Sequence, residues 1–324
     1  MQGVMSNTTV SERSPRVLFL GMECDFSSPP LRALLENGLE VCAVVIPASG
    51  EAEGVSPIVR IDHHAQPWYG GARPNLPMLN PSLRPSIVQL AWERQIPVWE
   101  VHHLSHPETV SVLAAYQPDV IAVACFSQRI PRVILELPRL GCLNVHPSLL
   151  PANRGPVPLF WTFREGHEKT GITIHLMDEG MDTGDILAQA PLTVPDGISY
   201  TELELQCAKL GGELLVRTIR ELCEGRAVRT PQDETKSSYH SFPSDDDFVV
   251  QAANWSAHHV YNFICGVAGW GEPIRLYADD KRFIVREAVS YSHRNGTNTS
   301  AETCSWLGEE LRVRCRDGWV RVKL

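Results

Sequence analysis

Asn144 and His146 stand two residues apart at the end of a short apolar run, Cys142-Leu-Asn-Val-His146, and Asp182 follows downstream between Gly180 and Gly184. Residues i and i+2 of a strand point to the same face, so this spacing sets an amide beside an imidazole while Val145 turns to the core. Pro147 keeps His146 extended, and Pro151 and Gly155 hold the following residues in a loop. The polar pair is therefore displayed at a strand end, where a glycine-flanked loop can bring a carboxylate to it. Asn144 offers an N–H donor at any pH, which suits a developing oxyanion. His146 can donate to the same oxygen when protonated or accept a proton when neutral. Asp182 is expected to favour the imidazolium, raising the His146 pKa, and to relay a proton through water.

Other chemistries for the same residues fail on pattern. Ser148 beside His146 suggests a covalent nucleophile, but Gly-x-Ser-x-Gly is missing. A calcium loop starting at Asp178 would need Gly at position 6 and Glu at position 12, where Thr183 and Gln189 stand. His102, His103 and His106 lack an accompanying carboxylate or thiolate pair and read as solvated loop residues, so no metal is expected.

The positioning elements follow an alternating plan. Arg16 to Gly21 reads as a strand, Leu31 to Leu35 as a helix and Val41 to Ile46 as a second strand, the start of a doubly wound sheet. Gly21 is followed by Met-Glu-Cys-Asp-Phe, not by the rest of a dinucleotide-binding glycine fingerprint. Ala48 to Pro85 has no periodicity and is too long for an ordinary connection, which leaves either a functional loop or a partly mobile one. Helices are expected over Ile87 to Arg94 and Pro107 to Tyr116, and strands over Pro97 to Val101 and Asp119 to Ala124. Thr170 to Leu176 and Ile186 to Leu192 add two strands, and Ser199 to Cys223 carries helical leucine spacing. The reading divides the chain into a flexible tail (1–15), a catalytic domain (16–225), a polar linker (226–247) and a C-terminal domain (248–324).

The ordered set Asn144-x-His146-x-Ser148-Leu149-Leu150-Pro151, then Arg154-Gly155-x-x-Pro158, then Met181-Asp182-x-Gly184 resembles the 10-formyltetrahydrofolate-dependent formyltransferases, on the side of the family that formylates methionyl-tRNA. The resemblance implies a Rossmann-like α/β catalytic domain followed by a small OB-like β-barrel. It implies 10-formyltetrahydrofolate as formyl donor and Asn144, His146 and Asp182 as the catalytic triad. Ser127, Gln128, Arg129 and Ile130 would hold the pterin ring through backbone groups, while Ser148, Leu149, Leu150 and Pro151 would line the folate pocket together with Asp178. The acceptor that the resemblance implies is a primary amine, methionyl-tRNA first and a nucleotide amino sugar as the alternative; a formyltetrahydrofolate hydrolase, with water in place of the amine, also stays open. In tRNA-formylating relatives the loop after the second strand is typically basic, whereas here it opens Pro47-Ala-Ser-Gly-Glu-Ala-Glu-Gly54.

The last hairpin bears on the acceptor. A two-residue turn at Asp317-Gly318 would pair Arg316 with Trp319, Arg314 with Arg321 and Arg312 with Lys323. One face is then basic, while Leu311, Val313, Cys315, Val320, Val322 and Leu324 point inward. Arg312, Arg314 and Arg321 are the candidate acceptor-binding residues, since like charges placed opposite one another call for an anion such as a phosphate backbone.

Composition bounds the rest. The 324 residues are 43% hydrophobic and 21% charged with a net charge of −9, an ordinary globular balance that argues against wholesale polyanion binding. Nine cysteines without a Cys-x-x-Cys pair point to the reducing cytoplasm. Met1 to Pro15 lacks the apolar core of a signal peptide, and no apolar run approaches the ~18 residues that cross a bilayer.

Overall fold

The computed structural model describes residues 14–50, 54–62, 85–293 and 303–324. The first half alternates as β1 (Arg16–Gly21), α1 (Ser28–Glu36), β2 (Glu40–Pro47), β3 (Ile58–Ile61), α2 (Ile87–Glu93), β4 (Val98–Val101), α3 (Pro107–Ala114), β5 (Val120–Ala124) and α4 (Arg132–Leu135). Next come β6 (Cys142–His146), α5 (Pro158–Arg164), β7 (Lys169–Leu176), β8 (Ile186–Thr193) and α6 (Tyr200–Cys223). These eight strands form one sheet in the order β3-β4-β2-β1-β5-β6-β7-β8. The middle strands β4, β2, β1, β5 and β6 are parallel, while β3 at one edge and β7 and β8 at the other are antiparallel. The chain leaves β1 for β2 on one side and reaches β5 on the other, so the order reverses at the β1/β5 boundary. In such sheets ligands bind outside the carboxyl ends near that boundary.

Burial explains the pattern. β1, β2 and β5 run almost wholly apolar because helices cover both faces, with Phe19, Leu31 and Leu34 fully buried on one side and Leu18, Leu20 and Leu113 on the other. The long α6 packs against α1, β6 and β7, where Gly211 admits the Val145 side chain that a Cβ would strike. Within the stretch read as an aperiodic loop, β3 pairs with β4, a strand too short to show a period. Residues 51–53 and 63–84 of that loop lie outside the described residues, as does most of the expected tail at 1–15.

The C-terminal part holds β9 (Val249–Gln251), α7 (Ala257–Val267), β10 (Ile274–Ala278), β11 (Lys281–Val285), β12 (Glu287–His293), β13 (Cys304–Leu307), β14 (Glu310–Arg314) and β15 (Gly318–Lys323). Where a small barrel was expected, the strands divide into a three-stranded sheet β11-β10-β9 and a four-stranded sheet β12-β15-β14-β13, joined by no ladder among the described residues. Phe160 of α5 sits 5.2, 6.2 and 4.9 Å, centroid to centroid, from Phe248, Phe263 and Trp270. This aromatic contact makes one core of the two parts. Burying a ring of this size stabilises by ~1.5–3 kcal/mol.

The last hairpin differs from expectation in register. Arg312 faces Arg321 and Arg314 faces Trp319, because Cys315 to Gly318 form a longer turn closed by the Cys315 N–H on the Gly318 carbonyl at 2.8 Å. A shift of two residues conserves the faces, so Leu311, Val313, Cys315, Val320 and Val322 are buried as expected. Leu324 lies beyond the ladder and is exposed.

Candidate active site

β6 carries Asn144 and His146 to the carboxyl edge of the sheet, and the antiparallel strand β7 comes back beside it. In this register Asn144 faces His175 and His146 faces Thr173. His175 is a site residue that the sequence reading missed. Its signal was the alternation of Thr173 and His175 with apolar neighbours in Gly171-Ile-Thr-Ile-His-Leu176, a polar face in an otherwise buried strand.

Asp182 closes the group. Its Oδ1 lies 3.3 Å from Asn144 Nδ2, 3.5 Å from His175 Nε2 and 3.7 Å from His146 Nδ1. The Asn144 amide is oriented by its acceptors. His175 Nδ1 donates to the Leu176 carbonyl at 2.8 Å, which leaves Nε2 a lone pair to accept from Asn144 Nδ2 at 3.2 Å. Turned over, the amide oxygen would face a carboxylate and a ring lone pair. Both Asn144 N–H groups are thus turned toward protein acceptors in this structure.

His146 is almost wholly buried, and its Nε2 donates to the Asn153 carbonyl at 2.9 Å. Its Nδ1 faces Asp182 beyond hydrogen-bonding distance. Burial lowers the His146 pKa, and the neighbouring Asp182 charge, which raises it, does not compensate. The expected upward shift is therefore corrected: desolvation of the imidazolium outweighs a carboxylate at this separation. The Asp182 carboxyl lies well below the usual carboxylate range. Burial opposes that; His146 and His175 pull the pKa down in their imidazolium forms, and the Gly155 N–H at 2.9 Å does so whatever their charge. The bonds from Gly155 and Asn144 do not depend on imidazole charge, so Asp182 stays ionised while His146 is neutral.

The segment 226–247 lies against this group. Gln232 Nε2 donates to the Asp182 and Gly184 carbonyls at 2.7 and 2.8 Å, and Gln232 Oε1 accepts from Arg154 Nε and Nη2 at 3.1 and 2.8 Å. Arg154 is buried and also bonds both Glu234 oxygens. Ser238 accepts from the Asn153 N–H through Oγ and from the Arg154 N–H through its carbonyl. Gly155 has φ +114°, and a Cβ there would collide with the His240 carbonyl. Polar and proline-rich composition reads alike for a free linker and for a strap bonded along its length, which is why Gln232 escaped notice.

The residues expected to hold folate occupy neighbouring loops. Arg129 Nη2 donates to the Glu179 carbonyl at 2.7 Å, joining the loop after β5 to the loop after β7. Gln128 donates to the Val101 carbonyl, and Ser127 is exposed. Ile130 is buried with Leu104 and Ile134, so its side chain serves the core and its backbone is what remains for a ligand. Ser148 and Leu150 are buried, Ser148 Oγ donating to the Ala152 carbonyl at 2.7 Å, while Leu149 and Pro151 remain half-exposed. Asp178 Oδ1 organises its own loop by accepting from the Gly180 N–H and Thr183 Oγ1. A cavity of about 520 Å³, within the range of small-molecule sites, opens among His102, His103, Leu104, Gln128, Arg129 and Pro131. His106 instead caps α3, its Nδ1 accepting from the Glu108 N–H.

A sequence model of the formyl transferase family matches residues 73–219, a span containing the whole group around Asp182. The chain is 35% identical over 244 residues to a methionyl-tRNA formyltransferase of Syntrophus aciditrophicus, covering 74% of this chain and 68% of that one. A methionyl-tRNA formyltransferase of Pelobacter propionicus is 30% identical over 317 residues, covering 97% and 88%. The chain belongs to the formyltransferase family. An N-formyltransferase from Helicobacter canadensis, solved with folinic acid and dTDP-3-aminofucose, shares the fold with this formyltransferase: the TM-score is 0.62 at 14% identity, covering 94% of this chain and 98% of that one. In the formyltransferase, Arg312 stacks over Trp319 at 4.1 Å, while Arg321 bonds Ser290 and pairs with Glu310 at 3.5 Å. The basic hairpin face is thus partly offset by acidic neighbours, as Lys323 also pairs with Glu287. Among the described residues no cluster of metal-ligating side chains occurs, and no helix is long and apolar enough to cross a membrane.

Proposed function

We propose that this enzyme moves the formyl group of 10-formyltetrahydrofolate to the amino group of methionyl-tRNA in the cytoplasm, with Asn144, His146 and Asp182 as its catalytic residues. The observation that carries the reading is the β6/β7 register, which gathers an amide and two imidazoles around one buried carboxylate. The acceptor rests on relatives of that name matching nearly the full chain.

The neutral His146 takes the proton of the attacking amine at Nδ1, and the imidazolium so formed faces Asp182. Asn144 gives one of its N–H donors to the formyl oxygen as that oxygen becomes an oxyanion. The new carbon–nitrogen bond then persists while the bond to the folate nitrogen breaks, and His146 returns the proton to that nitrogen. The half-exposed Leu149 and Pro151, the cavity at Gln128 and Arg129, and the Asp178 loop supply surfaces for the folate. Arg312, Arg314 and Arg321 supply positive charge for the tRNA. Incubating the enzyme with formyl-folate and, separately, methionyl-tRNA, a nucleotide amino sugar or water tests the assignment. Formylation of methionyl-tRNA alone is expected, and turnover only of the sugar or of water would overturn it.

A further inference from the structure

The face of β7 that carries His175 continues away from the reacting group as Thr173 and then Gly171, since residues two apart in a strand share a face. The segment that follows His146 lies across this face. Thr173 is fully buried opposite His146, and every bonding capacity of its hydroxyl is used. Its Oγ1 donates to the Ser148 carbonyl at 2.7 Å, and accepts from the Leu150 N–H at 3.1 Å and from Gln189 Nε2 at 2.9 Å. Gln189, its partner on β8, also donates to the Leu150 carbonyl at 2.8 Å. Leu149 packs over Gly171, where a Cβ would strike both the Leu149 side chain and the Ala190 carbonyl. One hydroxyl thus pins the backbone on both sides of Leu149 to a strand of the central sheet.

The same segment closes on the general base. It leaves β6 at His146 and returns with Asn153, whose carbonyl accepts from His146 Nε2 at 2.9 Å. Leu149 and Pro151 are its half-exposed members, so the surface they present is set by where the backbone at 148 and 150 is held. A ligand seat placed by bonds to a rigid strand keeps its distance from the reacting group better than one left to a loop.

We propose that Thr173 is a positioning residue for the formyl donor: through the Ser148 carbonyl and the Leu150 N–H it fixes the wall made by Leu149 and Pro151 at the distance from His146 that the folate requires. The inference rests on the folate seat proposed above. Thr173 acts through the backbone it holds and touches no reacting atom. Thr173→Val keeps the branched shape and removes the hydroxyl, so the Ser148 carbonyl, the Leu150 N–H and one Gln189 N–H lose this partner in a buried place, and the segment shifts to satisfy them. Asn144 and the Asp182 loop are held by His175, Gly155 and Gln232, bonds in which Thr173 takes no part. Donor binding therefore weakens more than the chemistry that follows it.

The test measures, on the full-length enzyme, calorimetric affinity for the donor analogue 5-formyltetrahydrofolate, kcat and KM for both substrates, and thermal melts. Thr173→Val should raise the analogue Kd and the folate KM about tenfold or more, with kcat and the methionyl-tRNA KM within about threefold of wild type. Thr173→Ser keeps the hydroxyl and should return both folate constants to within about twofold of wild type. Gln189→Ala, at an exposed position, removes only the outer donor and should raise the Kd about threefold. A hydroxyl that merely supports the fold would lower the melting temperature of Thr173→Val and leave the Kd at the wild-type value, which overturns the proposal. Equal weakening in Thr173→Ser and Thr173→Val also overturns it, and where Thr173→Val does not fold, an unchanged Kd in Gln189→Ala does so. Wild type that binds the analogue but ignores methionyl-tRNA removes the acceptor assignment alone, and the comparison of Kd values still decides. Wild type that does not bind the analogue overturns the folate assignment and this inference together, whereas equal binding by wild type and Thr173→Val overturns only the inference.

Discussion

Gln232 holds Asp182 by its backbone and leaves its carboxylate to others: the Gln232 amide lies 2.7 Å from the Asp182 carbonyl, while Asn144 and Gly155 donate to the carboxylate oxygens. Asp182 has φ +55°, a left-handed conformation that side-chain-bearing residues seldom adopt, and these bonds brace the loop there. Gln232→Leu removes both donors and deprives Arg154 of an acceptor, leaving buried polar groups that cost ~1–3 kcal/mol. A fall in kcat of about 10- to 100-fold is expected, with the folate KM within about threefold. Gln232→Glu, which still accepts from Arg154 but cannot donate, should resemble Leu in kcat while recovering thermal stability. Wild-type kcat in both variants would show that the strap does not position Asp182.

Asn144→Ala, His146→Ala and Asp182→Ala should each reduce kcat by about 10²- to 10⁴-fold, the range for losing an oxyanion donor or a general base. Folate affinity by calorimetry should change little. Because the three act on one intermediate, the double variant Asn144→Ala/His146→Ala should be far less impaired than the product of the single effects. Near-normal turnover in any single variant would remove that residue from the mechanism.

The neutral His146 sets a pH dependence. Its pKa lies below the ordinary histidine value near ~6.5, so the acid limb of kcat should lie below that value and the plateau should extend into mildly acidic buffer. Asp182 raises this pKa, so in Asp182→Asn the limb of the residual activity should move further down; an upward move would contradict the assigned directions. Stability follows with a definite sign. Below about pH 6.5 the unfolded chain takes up a proton that the folded imidazole refuses, so His146 destabilises the fold progressively as pH falls toward its folded pKa. Asp182 contributes stability above about pH 4, lost as pH falls through its depressed pKa.

Reversing Arg312, Arg314 and Arg321 to Glu together should raise KM for methionyl-tRNA about tenfold or more and flatten its salt dependence, leaving the folate KM alone. Arg321 pairs with Glu310, so a thermal melt must accompany the kinetics to separate lost stability from lost contact. Unchanged KM in a folded triple variant would place the tRNA on another surface.

How far the site can be read without coordinates depends on how local each feature is. Asn144 and His146 were legible because a period of two is intrinsic to a strand, and Asp182 because glycines flank it within the same motif. His175 depends on β7 returning antiparallel beside β6, a pairing that apolar runs alone do not encode. Gln232 depends on contacts across 50 residues, where composition gives no direction. The direction of the His146 shift turned on burial, which motif spacing does not report. The last hairpin kept its faces but changed its partners, since Asp317-Gly318 marks a turn without fixing its length.

The strap also sets an order in time. Every strand of the central sheet is encoded before residue 194, yet the group that fixes the Asp182 loop comes from Gln232 and the bond to Asn153 from Ser238. A chain growing from its N-terminus can complete the sheet as a unit before that segment has left the ribosome. The nascent chain thus passes through a stage with a formed sheet and an unfastened Asp182 loop, and the bonds that hold that loop form only when the polypeptide beyond it has been made.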